Sequence, residues 1–221
     1  MKFSVAFVLL FIMISCKKEI DIVAYSDNQI EGSTSIAPEK TNLTNAQQKI
    51  SDAALSIVDP NIIYDPTYFS IDYPNGDVPT SKGVCTDVVI RTYRKLGIDL
   101  QKEVHEDMKR NFSLYPKIWG LTKTDTNIDH RRVPNLMFFF SRFGEEKSME
   151  IVAEDYLPGD IVCWRLSNGM THIGVVVDRK SSDNERFKIV HNIGGGQVLE
   201  DVLFNYKIIG HYFYAPNSIN D

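Results

Sequence analysis

Apolar residues recur with two different periods along this chain, and the change falls near Met149. Before that point the spacing is helical. Ile50, Ala53, Ala54 and Ile57 share one face of an amphipathic stretch over 45–58. Asp59-Pro60 ends it, because the residue before a proline is pushed out of the α region. Residues 61–82 hold several prolines and aromatics and read as loop with a short strand. A second helix is predicted over 84–96, with Gly97 placed as its C′ residue. Leu100, Val104 and Met108 form the stripe of a third, from about 99 to 112. Pro134 sits where a fourth would begin, and Gly144 just past its end. From Met149 onward the pattern is that of strands, at 160–166, 172–178, 187–192 and 207–214. Pro158-Gly159 is a turn, and Ser181-Ser182-Asp183-Asn184 a hairpin loop. Helices first and an antiparallel sheet afterwards make an α+β architecture.

The N-terminus departs from both periods. Lys2 precedes a short apolar run, Val5 to Ile14. A membrane span needs about 20 apolar residues, so 1–15 reads as a signal peptide. Ser15-Cys16 puts a small residue before a cysteine and resembles a bacterial lipobox, with Met13 where leucine is usual. Cys16 is therefore the candidate lipidation site; the alternative is a plain signal peptide with an incidental cysteine. Residues 16–42 are polar and aperiodic, the character of a lipidated cysteine on a flexible tether. That leaves 43–216 as one folded domain, expected to be monomeric and lipid-anchored in the cell envelope. The chain's 221 residues, 43% hydrophobic, are enough for one substantial core. A net charge of −5 with no basic stripe excludes a general nucleic-acid binder.

Three residues carry candidate chemistry. Cys85 opens the second helix, where the positive end of the helix dipole lowers a thiol pKa. It also shares a stripe with Val89, Thr92 and Leu96, the bland reading being a small core residue. Gly83 beside it leaves room for a substrate backbone. His172 begins one strand and His191 ends the next; each alone reads as a strand-edge histidine with a satisfied hydrogen bond. If those strands form a hairpin around 181–182, the two rings fall opposite or nearly so, with Cβ atoms about 4.5–5.5 Å apart when directly opposed. The helix of Cys85 would then pack on the same face. Cys85, His172 and His191 could instead ligate zinc, although the paired ligand spacing of such sites is missing. No metal or cofactor is expected. Cys163 lies in the buried-looking strand Asp160-Ile161-Val162-Cys163-Trp164 and reads as a structural thiol. A disulfide between Cys85 and Cys163 is the alternative and would remove the nucleophile.

These motifs resemble those of the NlpC-type cell-wall peptidases of the papain-like superfamily: Gly83-Val84-Cys85 at a helix start, Pro158-Gly159-Asp160-Ile161-Val162, His172-Ile173-Gly174-Val175-Val176 and His191-Asn192. More closely, Val104-His105-Glu106-Asp107-Met108, the segment from Asp125 to Leu136 and His191-Asn192-Ile193-Gly194 resemble a bacterial family catalogued as domain of unknown function 1287. The likeness spans roughly 45–216. It implies a papain-like fold, N-terminal helices packed on an antiparallel sheet, with Cys85 as nucleophile, His172 as base and His191 as third residue. It implies a cysteine amidase or endopeptidase that hydrolyses an amide or peptide bond in peptidoglycan stem peptides. The alternative is an inactive cell-wall-binding lipoprotein with the same fold. The chain departs from the superfamily at Val84, where an acidic residue is usual, while Asp87 follows the cysteine.

An oxyanion would be held by the Cys85 N–H and a second donor, for which Tyr73 is a candidate. Asp87, Asp129, His130, Arg131 and Arg132 are further candidates for substrate contact. One of the arginines could bind a carboxylate bidentately, or both could form structural pairs with Asp125 or Asp129. His105 reads as a surface residue or a structural contact, and His211 as a strand residue. Gly194-Gly195-Gly196 lacks the Lys-Ser/Thr of a phosphate loop.

Overall fold

The computed structural model describes residues 43–220. The segments read as signal peptide and tether, 1–42 with Cys16, lie outside the described residues. Helix α1, Asn45–Leu55, starts in a capping box: Gln47 N–H donates to the Thr44 hydroxyl, and Thr44 N–H donates to the Gln47 side chain. It stops short of Val58, because the Ser56 hydroxyl turns back to the Ala53 carbonyl at 2.7 Å and competes for the last turn. Helix α2, Cys85–Lys95, closes in a Schellman motif. Gly97, at φ 78°, donates to Arg94 and Ile98 donates to Tyr93. Helix α3, Leu100–Arg110, buries Leu100, Val104 and Met108 as the stripe requires.

Helix α4, Val133–Phe143, has Pro134 in its first turn. Gly144 follows it for a reason other than left-handed backbone, since its φ is −103°. A Cβ there would meet the Phe213 carbonyl oxygen at 2.8 Å, so glycine lets the helix end lie against the sheet.

The sheet is antiparallel throughout, in the order β3-β8-β4-β5-β6-β7. Strands β4 (Ile161–Arg165), β5 (Thr171–Lys180), β6 (Phe187–His191) and β8 (Lys207–Phe213) fall where alternation places them. Two short strands escape it: β3, Glu145–Glu146, and β7, Val198–Glu200. A separate parallel pair joins β1, Ile63–Tyr64, to β2, Lys82–Gly83, which runs directly into Cys85.

Alternation along β4 to β6 divides the core in two. Ile161, Cys163, Ile173, Val175 and Val190 face α1, α2 and α4. Val162, Trp164, Val176 and Ile189 face the other way and are roofed by Tyr156 and Leu203. Trp164 Nε1–H ties that roof down through the Leu203 carbonyl at 2.9 Å. The Pro-Gly-Asp turn is explained by Asp160. Its carboxylate accepts from Leu157 N–H, Lys147 Nζ and His211 Nε2, all within 2.9 Å, and so locks the start of β4 to β8. Cys85 and Cys163 are both free, buried thiols.

Candidate active site

The chain reaches Cys85 through a braced helix start. Val84 is extended and has no side-chain oxygen to cap α2; the Asp87 carboxylate accepts its N–H at 2.7 Å instead. Arg131 holds that carboxylate with two bonds, 2.9 and 3.0 Å, from a side chain as buried as its partner. The Thr86 hydroxyl adds a bond to the Arg131 carbonyl. These contacts pin the first turn of α2 to the 3-10 turn Asp129–Arg131.

The backbone N–H groups of Ile173, Thr86 and Cys85 itself bear on the Cys85 thiol and favour its charged form. The Ile173 N–H is free to do so because β6 leaves β5 beyond the Val175–Val190 pair. The thiol thus sits near Ile173, one residue along the backbone from His172. It is not depressed as its place at a helix N-terminus suggests. Burial pushes it up to about 12, Asp87 adds to the rise, and the backbone N–H groups oppose it. The carboxylate that caps the helix also offsets its positive end.

His172 and His191 meet as a hydrogen-bonded pair, Nε2 to Nδ1 at 2.9 Å. The contact is diagonal, since the β5–β6 register sets His191 beside Gly174 and not His172. A Cβ on Gly174 would fall 2.6 Å from Ile189 Cγ2 and 3.1 Å from His191 Cβ, so glycine is needed for the two strands to carry this pair. Both rings lie on the Trp164 face of the sheet, with His172 against Trp164 itself. The expectation that α2 packs on the histidine face is corrected: α2 packs on the opposite face, and Cys85 lies in the core cluster of that face.

A residue invisible to sequence reasoning completes the row. Glu200 Oε2 lies 2.9 Å from His191 Nε2. A carboxylate only accepts, so His191 donates from Nε2 and must accept at Nδ1. His172 then donates from Nε2, and its lone pair is left on Nδ1. Burial, and then the charge of His191, lower the His172 pKa from 6.5 to about 3. Burial also lowers that of His191, opposed by Glu200. Thiol and imidazole are therefore both neutral near pH 7. Among the described residues no hydrogen bond joins Cys85 to the His172 ring, and none of the described His, Cys, Asp and Glu side chains gather as a metal site.

Cys85 lines a cleft of about 910 Å³ together with Tyr64, Trp119, Arg132, Met170 and Tyr212. Tyr64, brought there by the β1–β2 pair, is pushed up to about 12 by burial and then by Cys85 and Asp87, and so keeps its proton. Tyr73 is not on this cleft; its ring meets His105 edge-on at 5.2 Å. A second cavity, about 660 Å³ between Asp77, Arg91 and Arg94, is lined by no cysteine or histidine.

A family described as "Domain of unknown function (DUF1287)" matches residues 51–214. The chain belongs to the DUF1287 family. It is 50% identical over 170 residues to "Uncharacterized protein YijF" of Escherichia coli (strain K12), covering 77% of this chain and 82% of that one. Among solved structures it is similar to an N-acetylmuramoyl-L-alanine amidase from Bacteroides uniformis ATCC 8492. The TM-score is 0.44 at 13% identity, over 76% of this chain and 97% of that one.

In this DUF1287 chain the polar loop before α4 is mostly structural. Asp129 is buried and accepts the Asp125 N–H at 2.7 Å and a bond from His105 at 3.2 Å. His130 is buried, and burial followed by Arg131 lowers its pKa to about 3. Arg131 lines the cleft, but its guanidinium belongs to Asp87, and not to Asp125 or Asp129 as sequence proximity suggested. Asp87 is committed to Val84 and Arg131. Arg132 alone among these candidates lines the cleft with no hydrogen-bond or ion-pair partner for its guanidinium among the described residues. Glu200, Tyr64 and Trp119 carried no motif. The one usable signal for Glu200 is its place in a strand that returns on His191 after Gly194-Gly195-Gly196.

Proposed function

We propose that this protein is a cysteine amidase or endopeptidase that cleaves an amide or peptide bond in peptidoglycan stem peptides. The observation that carries the reading is the row Glu200–His191–His172, which leaves a lone pair on His172 Nδ1, in the residue next to Ile173, whose backbone N–H favours the Cys85 thiolate. The choice of peptidoglycan rests on the likeness of the Cys/His/His motifs to the NlpC-type peptidases and on the lipobox-like leader ahead of Cys16.

Because both groups start neutral, the thiol proton passes to His172 Nδ1 as Sγ attacks the carbonyl carbon. The oxyanion is met by the Cys85 N–H and the Tyr64 phenol, in place of Tyr73. One such donor is worth about 10²–10³ in rate. His172 then protonates the leaving amine and leaves a thioester on Cys85. Water, deprotonated by His172, releases the acid and restores the thiol. Glu200 and His191 hold the His172 tautomer throughout.

Mass analysis of fragments released from purified sacculi by the full-length protein tests this. Cleaved stem peptides are expected from the wild type, and each of Cys85→Ala and His172→Ala should lose activity nearly as fully as the double variant. A binding lipoprotein is the second reading, favoured by the buried thiol at about 12. Its signature is sacculi that sediment with the protein and release nothing. Lipid attachment at Cys16 and residence in the cell envelope belong to the same proposal. Cys16→Ala should leave the membrane fraction, and its retention there would overturn the anchor.

A further inference from the structure

The two arginines that follow His130 have opposite fates. Arg131 is fully engaged with Asp87 beneath the cleft. Arg132, the residue that caps α4, makes no ion pair or guanidinium hydrogen bond among the described residues. Its Nη1 is shut off from solvent without an acceptor. Such an orphaned donor costs about 1–3 kcal/mol, more when charged. Two acids bear on it: Asp125 binds the Tyr68 hydroxyl, and Asp129 binds His105 and the Asp125 N–H through Oδ2, while its Oδ1 makes no bond to the Arg132 guanidinium. Burial draws the Arg132 pKa down, against the opposing charges of Asp129 and Asp125. The guanidinium lies over the Trp119 ring at 4.2 Å, an arrangement that holds its plane. Trp119 and Arg132 both line the cavity that Cys85 opens into, and Arg165 lines it as well, against one acid, Glu146.

We infer that Arg132, stacked on Trp119, is a specificity-determining residue that binds a free carboxylate of the substrate while its amide carbonyl lies at Cys85. This deepens the amidase proposal and rests on it. The substrate class narrows to amides with a carboxylate on a neighbouring unit, as in stem peptides whose acids are free and not amidated. A planar fork facing a planar carboxylate gives two parallel charge-assisted bonds, and a carboxamide of the same shape supplies neither the charge nor two acceptors.

The test compares a stem tetrapeptide bearing free carboxylates with its carboxamide counterpart, using full-length wild-type, Arg132→Lys and Arg132→Gln proteins. Wild type should favour the free acid by about tenfold or more in kcat/KM, carried mainly by KM. Arg132→Gln should erase that preference and leave the melting temperature within a degree or two. Arg132→Lys should regain only part of it, since lysine lacks the fork. Equal hydrolysis of acid and amide by wild type overturns the carboxylate site and leaves the amidase reading standing. A melting temperature that falls in step with activity also overturns it, by showing that Arg132 is a structural partner of Asp129. If wild type cleaves neither peptide, binding to Cys85→Ala decides. An acid preference that Arg132→Gln removes upholds the site while the hydrolase reading falls, and no preference sinks the site as well.

Discussion

Glu200→Ala removes the acceptor that keeps a proton on His191 Nε2, and both imidazoles become free to change tautomer. The His172 lone pair then no longer stays on Nδ1. We expect kcat to fall about 10²-fold, the low end of what a positioned base contributes, with KM little changed. Glu200→Gln still offers an oxygen to His191 and should stay much closer to wild type. Equal losses in the two variants would show that the charge, and not the tautomer, is what matters. The thiol makes a second expectation at this scale. With Cys85 at about 12 and its partner neutral, iodoacetamide should react slowly at pH 7 and about tenfold faster per pH unit above it. A rate independent of pH near 7 would reveal a preformed thiolate–imidazolium pair instead. Cys85, His172 and His191 were legible because each stands at the end of a strongly patterned element. Glu200 was not, because its role depends on the register of a three-residue strand that no periodicity announces.

At the scale of elements, the site depends on how strand ends and helix starts are fastened. Gly174→Ala pushes a Cβ into Ile189 and His191 on β6 and should cost about 1–3 kcal/mol through overpacking. It should reduce activity more than the loss of stability accounts for, because the carbon displaced is the Cβ of His191. An alanine variant with unaltered turnover would mean that β6 carries no part of the site. Arg131→Gln leaves Asp87 buried and unpaired at the start of α2, and breaking such a pair typically costs about 3–5 kcal/mol. A clear drop in melting temperature is expected there, in contrast with Arg132. The four long helices and four of the strands were readable because apolar residues mark their buried faces over several turns or pleats. β3 and β7 were missed, and 61–82 was read with one short strand where two pair, because two or three residues show no period. The face of the sheet that carries the histidines was misjudged. Alternation gives their shared parity, but not which side a helix covers.

For the molecule as a whole, neutral buried histidines set the response to acid. His130 and His172 have pKa values lowered to about 3 from 6.5, and His191 is lowered as well. Below 6.5 the unfolded chain takes up these protons and the folded chain does not, so stability falls as pH drops from 6.5 toward 3. Each such histidine contributes about 1.4 kcal/mol per pH unit inside that window. Asp129 and Glu103, raised by burial, act with the opposite sign and offset part of the loss. Urea unfolding at pH 7 and pH 5 should show lower stability at pH 5, with a smaller difference in His130→Gln; a difference that His130→Gln leaves unchanged would place the acid sensitivity elsewhere.

The claim on which the rest depends is that Cys85 becomes acylated. Acid-quenched turnover of a stem peptide, followed by intact-mass analysis and peptide mapping, reads this directly. The expected result is a hydroxylamine-labile acyl adduct confined to Cys85 and never on Cys163, with no adduct and no product from Cys85→Ala. Product released by Cys85→Ala at the wild-type rate would contradict it.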